Sequence, residues 1–339
     1  MESNFSLPHQ PAEWEEHEAC WLAWPSHGDL WQEDLETTRQ EFTALCRAIS
    51  GERLEILVPD AENKSLAEKA LRGLNARFHL IPFGDIWLRD TGPIFLWGKN
   101  GEVEAARFTF NGWGGKYVLP FDTEVSTAIS KITGFPSHTF PWVLEGGSLD
   151  VDGKGTCLTT RQCLLNPNRN PKLNQGQIEG GLRQALGVTK VLWLHDGLLN
   201  DHTDGHIDTI ARFIKPGVVL CMHPSGSDDP NAHVLQAIEK DLKSMSDAHG
   251  RKLEVLTLPS PGKVVDEENE ILAASYVNFY ISNESVVVPQ YGQPNDSVAV
   301  QAIAELFPGR KTVGVSAKSI LTGGGAFHCI TQQQPKALK

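Results

Sequence analysis

The stretch FGDIWLRDTGPIFLW, residues 83–97, carries the pattern on which the fold turns. Its charged cluster, Asp85, Arg89 and Asp90, lies between Gly84 and Gly92-Pro93, and the apolar run IFLW follows at once. Glycine and proline mark changes of chain direction, so the stretch reads as the end of one strand, a polar cluster and the start of another. Similar cluster points occur at CWLAWPS (20–26), TCLTTRQCLL (156–165), HIDTIARF (206–213), SYVNFY (275–280) and HCITQQ (328–333). Helical periodicity predicts helices over 31–49, 63–72, 124–132, 177–187, 231–247 and 297–307. Short β-branched runs predict strands over 53–58, 77–81, 104–110, 190–194, 217–222, 253–258, 273–282 and 285–289. The pattern is that of an α/β protein with a loose strand–cluster–strand–helix repeat. Its uneven spacing suggests a repeat fold without establishing one. No long Ser/Gly/Pro linker interrupts it, so residues 1–339 are expected to form a single domain.

The chain has 339 residues, 40% of them apolar, and a formal net charge of −12. No run of Lys and Arg is present, which argues against nucleic acid as a partner. A negative field draws small cations, although many enzymes are acidic for solubility alone. The six cysteines form no C-x-x-C pair, which fits reduced thiols in a cytoplasmic protein. The start, MESNFSLPHQPAEWEEHEA, lacks a basic segment followed by an apolar one, so no signal peptide is expected. No apolar run approaches the about 20 residues needed to span a bilayer, so no membrane partner is expected.

Five segments carry candidate chemistry. In LTGGGAFHCITQQQ (321–334) three glycines precede His328-Cys329. Taken alone, this reads first as a Gly-rich turn with a buried, inert thiol, and second as a nucleophile whose thiolate a neighbouring imidazole favours. In NDHTDGHIDTIARF (200–213), residues 206–213 read as a strand, which would put His206 and Asp208 on one face. A base beside a carboxylate, a metal cluster of His202, Asp204, His206 and Asp208, and a polar turn all remain open there. In the opening stretch, Asp85, Arg89 and Asp90 form either an Arg–Asp pair at a strand end or a carboxylate site for a cation, with Trp87 as a stacking face. In WVLEGGSLDVDG (142–153), turn chemistry explains the glycines, and Glu145 alone invites a catalytic role. FTFNGWGGKYVLPFD (108–122), with Trp113 at its centre, reads as a loop covering a pocket.

Taken in order, PAEWEEHEACWLAWP, WLRDTGP, FNGWGGKY, EGGS, TDGHID, SYVNFYI and GGGAFHCITQQ resemble the agmatine deiminase family and the related bacterial-type peptidylarginine deiminases. The resemblance covers nearly the whole chain. It implies the pentein fold, a five-bladed β/α propeller with pseudo-five-fold symmetry around a central active-site channel. It implies a hydrolase that needs no metal or other cofactor, takes a small cationic guanidino substrate and releases one nitrogen as ammonia. By the same resemblance Cys329 matches the nucleophile, His206 the general acid/base, Asp90 and Asp208 the guanidinium-binding carboxylates, and Glu145 the acidic partner of the histidine. Trp87 matches the aromatic residue beside the guanidinium, and Trp113 and His202 join it as substrate-binding candidates.

Two departures stand out. In agmatine deiminases an acidic residue usually lies four positions before the base, where it helps recognise the distal amine; here that position is His202. Where the family often has Asn, this chain has Ala326. Agmatine is the expected substrate, with peptidyl-arginine or free arginine as alternatives. Free arginine calls for a cation opposite its α-carboxylate, and Arg107, Lys116, Arg161 and Arg169 have no assigned role. A non-catalytic pentein-like binding protein is the rival of another class. The sequence leaves room for a homo-oligomer.

Overall fold

The computed structural model describes residues 8–338; the first part of the segment read for a signal peptide, residues 1–7, lies outside them. The described residues form an α/β structure whose strands fall into five small sheets. Four of these share one plan, in which a central strand pairs antiparallel with the strand before it and parallel with the strand after the next helix. Ile94–Trp97, Val103–Thr109 and Ser137–Val143 make one such unit, with helix Asp122–Thr133 as the crossover. The other three are centred on Thr156–Thr160, Val218–His223 and Ser285–Gln290. The fifth sheet joins the two ends of the chain. Gln332–Pro335 pairs antiparallel with His17–Ala23, which pairs parallel with Arg53–Val58.

The predicted helices are present with small shifts, and caps fix their ends. Asp60 accepts the backbone N–H of Asn63 at 2.8 Å to open Ala61–Ala70. Asn174 and Gln177 form a reciprocal capping box at Gln175–Leu186. The helix expected over 31–49 begins at Leu35, after two short turns, and this leaves Trp31 outside it. Strands Ser137–Val143 and Lys311–Ser316 lack the expected signals. Both are half-exposed edge strands, carrying Pro141 and Gly314, which only an edge or an irregular pairing tolerates.

Two expectations are corrected. Of 273–282 only Tyr280–Ile281 is strand, so Asn278 stands in a loop. Residues 206–213 are not one strand either: Ile207–Thr209 is a single 3-10 turn, and the strand starts at Ala211. Asp208 and His206 therefore converge through a turn rather than through the two-residue period of a strand. Among the described residues no helix is long and apolar enough to cross a membrane.

Candidate active site

The Gly-rich run explains itself through close approaches. A Cβ on Gly325 would lie 2.7 Å from the Trp87 ring and 3.1 Å from Cys329 Sγ, and one on Gly323 would meet Trp31 and Trp87 at 2.6 and 2.8 Å. Gly324 has φ +105, open chiefly to glycine. The chain can thus lie flat between two indoles and deliver Cys329 to a cavity of about 330 Å³. That cavity is lined by Trp87, Asp90, Trp113, Tyr117, His202 and Cys329 among others. Trp87 is fixed edge-on by Asp85, which accepts the indole N–H of Trp87 at 2.7 Å and that of Trp31 at 3.0 Å. Asp85 is therefore a holder of rings rather than half of an Arg–Asp pair. Arg89 turns the other way and clamps Gln332 and Gln333 at 2.8 and 2.6 Å.

Asp90 sits on the turn Leu88–Thr91. Its Oδ1 accepts the Gly147 N–H at 2.9 Å and its Oδ2 the Trp113 indole N–H at 2.8 Å. Trp113 makes this bond from a left-handed backbone, φ 51, a conformation costing about 1–3 kcal/mol that surrounding structure must impose. The loop carrying it is tied down by Lys116, which donates to Asp204 at 2.6 Å and to the His202 carbonyl at 2.8 Å. Gly147 is the meeting point: a Cβ there would lie 2.7 Å from His206 Nδ1 and 3.0 Å from both Asp208 Oδ2 and Asp90 Oδ1.

Asp208 Oδ2 lies 2.7 Å from His328 Nδ1 and accepts the Cys329 thiol at 3.6 Å. Its Oδ1 is buried without a partner. On its far side His328 Nε2 lies 2.8 Å from Glu13, which also takes Arg212. Asn278 donates to Cys329 Sγ at 3.2 Å and accepts the His328 N–H at 3.0 Å. Glu145 Oε1 accepts Arg169 Nε at 2.6 Å, and Glu145 Oε2 and both His206 ring nitrogens have no hydrogen-bond partner. Glu145, expected as the acidic partner of His206, makes no hydrogen bond to it: Arg169 takes Oε1, and Oε2 stays unpartnered.

Electrostatics follow from burial. Burial, then the charges of Asp208 and Asp90, push the Cys329 thiol well above its ordinary range. Burial, then Asp208 and Glu145, also raise the Asp90 carboxyl well above its usual value. His206 is drawn down to about 3 by burial, against the pull of Asp208. Burial would raise Asp208 too, but the bond and charge of His328 outweigh it and leave its carboxyl below the usual range. At rest the site therefore holds a thiol, a neutral imidazole and crowded carboxyls, a balance that a cation between Asp90 and Asp208 would tip.

The metal cluster considered for His202, Asp204, His206 and Asp208 does not form. Asp204 is taken by Lys116, Arg169 and Asn168, and His202 lies exposed at the cavity wall beside Tyr117. Asn278, Arg169 and Glu13 are site residues to which the sequence assigned no role, and His328, read as the imidazole favouring the thiolate, lies between Asp208 and Glu13 instead. Asn278, His328 and Glu13 sit inside the motifs SYVNFY, FHC and PAEWEEHEACWLAWP, whose internal roles no spacing rule separates.

A test of this inner network is His328→Ala, which removes the ring lying within hydrogen-bonding distance of two buried carboxylates, Asp208 and Glu13. Glu13 keeps Arg212 and the Ile281 N–H, so Asp208 is the group left short; at about 1–3 kcal/mol for one unsatisfied group, the expected loss is roughly 1–3 kcal/mol, read from urea unfolding midpoints. A loss below about 0.5 kcal/mol, the range of ordinary surface changes, would show the contacts to be incidental.

The family model for the Porphyromonas-type peptidyl-arginine deiminase matches residues 9–335. The chain belongs to this family. Within it, the agmatine deiminase of Ectopseudomonas mendocina is 40% identical over 351 residues, covering 96% of this chain and 95% of that one. The structure of the Enterococcus faecalis agmatine deiminase superposes with a TM-score of 0.92 at 36% identity, covering 98% and 96% of the two chains. A cysteine-to-serine variant of the C. jejuni agmatine deiminase with substrate bound gives 0.89 at 31%, covering 98% of each.

Proposed function

We propose that this protein is an agmatine deiminase, a hydrolase converting agmatine and water to N-carbamoylputrescine and ammonia on the way to putrescine and polyamines. The observation that carries this is the convergence of Asp90, Asp208 and His206 on Gly147, with the thiol of Cys329 within hydrogen-bonding reach of Asp208. A guanidinium is planar and delocalised, hence a poor electrophile. Two carboxylates fix its plane through paired N–H bonds, and Trp87 walls one side. Its positive charge offsets the repulsion that keeps Cys329 protonated, so binding itself favours the thiolate.

Cys329 Sγ then attacks the guanidinium carbon to form a C–S bond and a tetrahedral adduct. His206, having taken the thiol proton, passes it to the departing nitrogen, which leaves as ammonia. An amidino-thioether remains on Cys329. His206, neutral again, takes a proton from water, whose oxygen attacks the same carbon; the C–S bond breaks, and the ureido product and thiol are released. The five sheets fit the blades of a pentein propeller around this channel, acting as one domain. The free, buried cysteines suit a cytoplasmic setting.

The lining supports agmatine over free arginine. No Lys or Arg is among the residues lining the cavity. Lys116 and Arg169 are spent on Asp204 and Glu145, Arg107 on Thr127 and Thr139, and Arg161 on Gln175. An α-carboxylate held within this cavity would meet no lysine or arginine among its lining residues. A second reading, peptidyl-arginine, gains support from a neighbouring cleft of about 710 Å³ that shares Leu30, Asp85, Thr322 and Gly323 with the cavity. Ammonia release from agmatine, arginine and an arginyl peptide, measured side by side, decides among them; strong peptide turnover beside negligible agmatine turnover would refute the agmatine reading. Turnover is also expected to persist in EDTA. Activity lost to the chelator and restored by zinc would overturn the metal-free mechanism.

A further inference from the structure

Behind the base lies a group of side chains that the reaction does not use in full. One ligand atom from each of Glu145, Cys163 and His206 lies within 4.8 Å of the other two, and all three residues are fully buried. Glu145 Oε2 and both nitrogens of His206 are without hydrogen-bond partners, an expensive state for buried polar atoms unless something else meets them. Cys163 is held in place by its own turn, Arg161–Leu164. The hydroxyl of Thr160 accepts the Cys163 N–H at 3.2 Å and donates to the carbonyl of Gly205, next to His206, at 2.7 Å. The backbone of Cys163 and the backbone beside His206 are therefore tied to one another by a single side chain.

We propose that Glu145, Cys163 and His206 form an inhibitory site for a borderline-soft divalent cation of the zinc class, which captures the general base and halts turnover. The donor set is one thiolate, one imidazole and one carboxylate, the mixture zinc takes. Ligand atoms around tetrahedral zinc lie about 3.5 Å apart, so the three need only a modest closing movement, and water completes the fourth position. Zinc would displace the thiol proton of Cys163, making the complex with Glu145 neutral overall. Arg169 opposes the ion but engages Glu145 only through Oε1, leaving Oε2 free to ligate. Asp85 and Asp90, which line the adjoining cavity, offer carboxyl oxygens to a cation on its way in.

Inhibition rests on the reading of His206 as the base; metal binding does not. Wild-type, Cys163→Ala, Cys163→Ser and Cys329→Ala proteins, all checked for folding by circular dichroism, are titrated with zinc chloride against agmatine turnover and with cobalt chloride against the near-ultraviolet spectrum. Zinc is expected to inhibit wild type reversibly, with EDTA restoring activity. The Cys163 variants should keep basal turnover and need at least about tenfold more zinc, since even outer contacts to a metal are worth that much. A thiolate-to-cobalt charge-transfer band is expected in wild type and Cys329→Ala, and not in Cys163→Ala or Cys163→Ser. Equal zinc sensitivity in wild type and both Cys163 variants overturns the proposal. So does a cobalt band that is lost with Cys329 and kept without Cys163, for then the ion sits on the nucleophile. Absence of turnover on every guanidine without zinc would defeat the deiminase reading instead, and the cobalt band would still decide the metal site.

Discussion

Cys329→Ala is expected to reduce ammonia release from agmatine by about 10⁴-fold or more, the scale on which removing a covalent nucleophile acts. The fold should survive, because the change removes one sulfur beside a cavity and leaves the backbone bonds of 326–331 in place. The remaining five cysteines are buried, and none lines the cavity. Cys163, the thiol beside His206, is not among the cavity-lining residues, and burial pushes its thiol well above the ordinary range. No substitute nucleophile is at hand. Guanidinium binding should persist in the variant, since Asp90 and Asp208 are untouched, and calorimetry with agmatine reads this directly. Ammonia release at a tenth of the wild-type rate would mean that water activated by His206 attacks the guanidinium directly and that no thioether forms.

How far the sequence spoke depends on the range of each interaction. Cap-bounded helices such as Gln175–Leu186 and apolar strands such as Arg53–Val58 follow from neighbours a few residues away, and both were legible. Cys329, His206, Asp90 and Asp208 were legible only as members of an ordered set of motifs. The segment around Cys329, judged locally, is that of a buried thiol, and it is indeed nearly buried, at 5% exposure. The pairing of Gln332–Pro335 with His17–Ala23 spans the whole chain, and no local periodicity encodes it. Nor does any local pattern say that Arg169 will hold Glu145, that the Trp113 indole will reach Asp90, or that Glu13, deep in the PAEWEEHEA segment, will reach His328. These are long-range choices between polar partners, and burial makes them obligatory once the sheets have come together. Asp208 shows the difference well. A strand-period argument put it beside His206, and the structure puts it there through a turn.

Asp208→Asn is the second large effect expected, and it separates binding from architecture. The oxygen at Oδ2 lies against His328 Nδ1 and the one at Oδ1 has no partner. An asparagine would keep its carbonyl towards His328 and turn its NH₂ to the substrate, opposing donor to donor. Losing a buried charge-assisted contact of this kind costs about 2–5 kcal/mol, so kcat/KM should fall by roughly 30- to several-thousand-fold, mostly through KM. The pH profile adds a sign that a structural defect would not produce. In wild type, kcat/KM should rise with pH as the Asp90 carboxyl and Cys329 thiol lose protons, because both are raised by burial and then by the charge of Asp208. Binding a cation there displaces a proton, which low pH opposes. Without the Asp208 charge both groups give up their protons more readily, so the rising limb should move to lower pH even as the activity falls. The analogous Asp90→Asn change relieves Cys329 of its second carboxylate but also sets an amide against the Trp113 N–H. It should therefore loosen the 112–118 loop as well as binding, and increase proteolysis there. An unmoved limb and an unchanged KM in Asp208→Asn would leave Asp208 as a prop for His328 and assign the guanidinium to Asp90 alone.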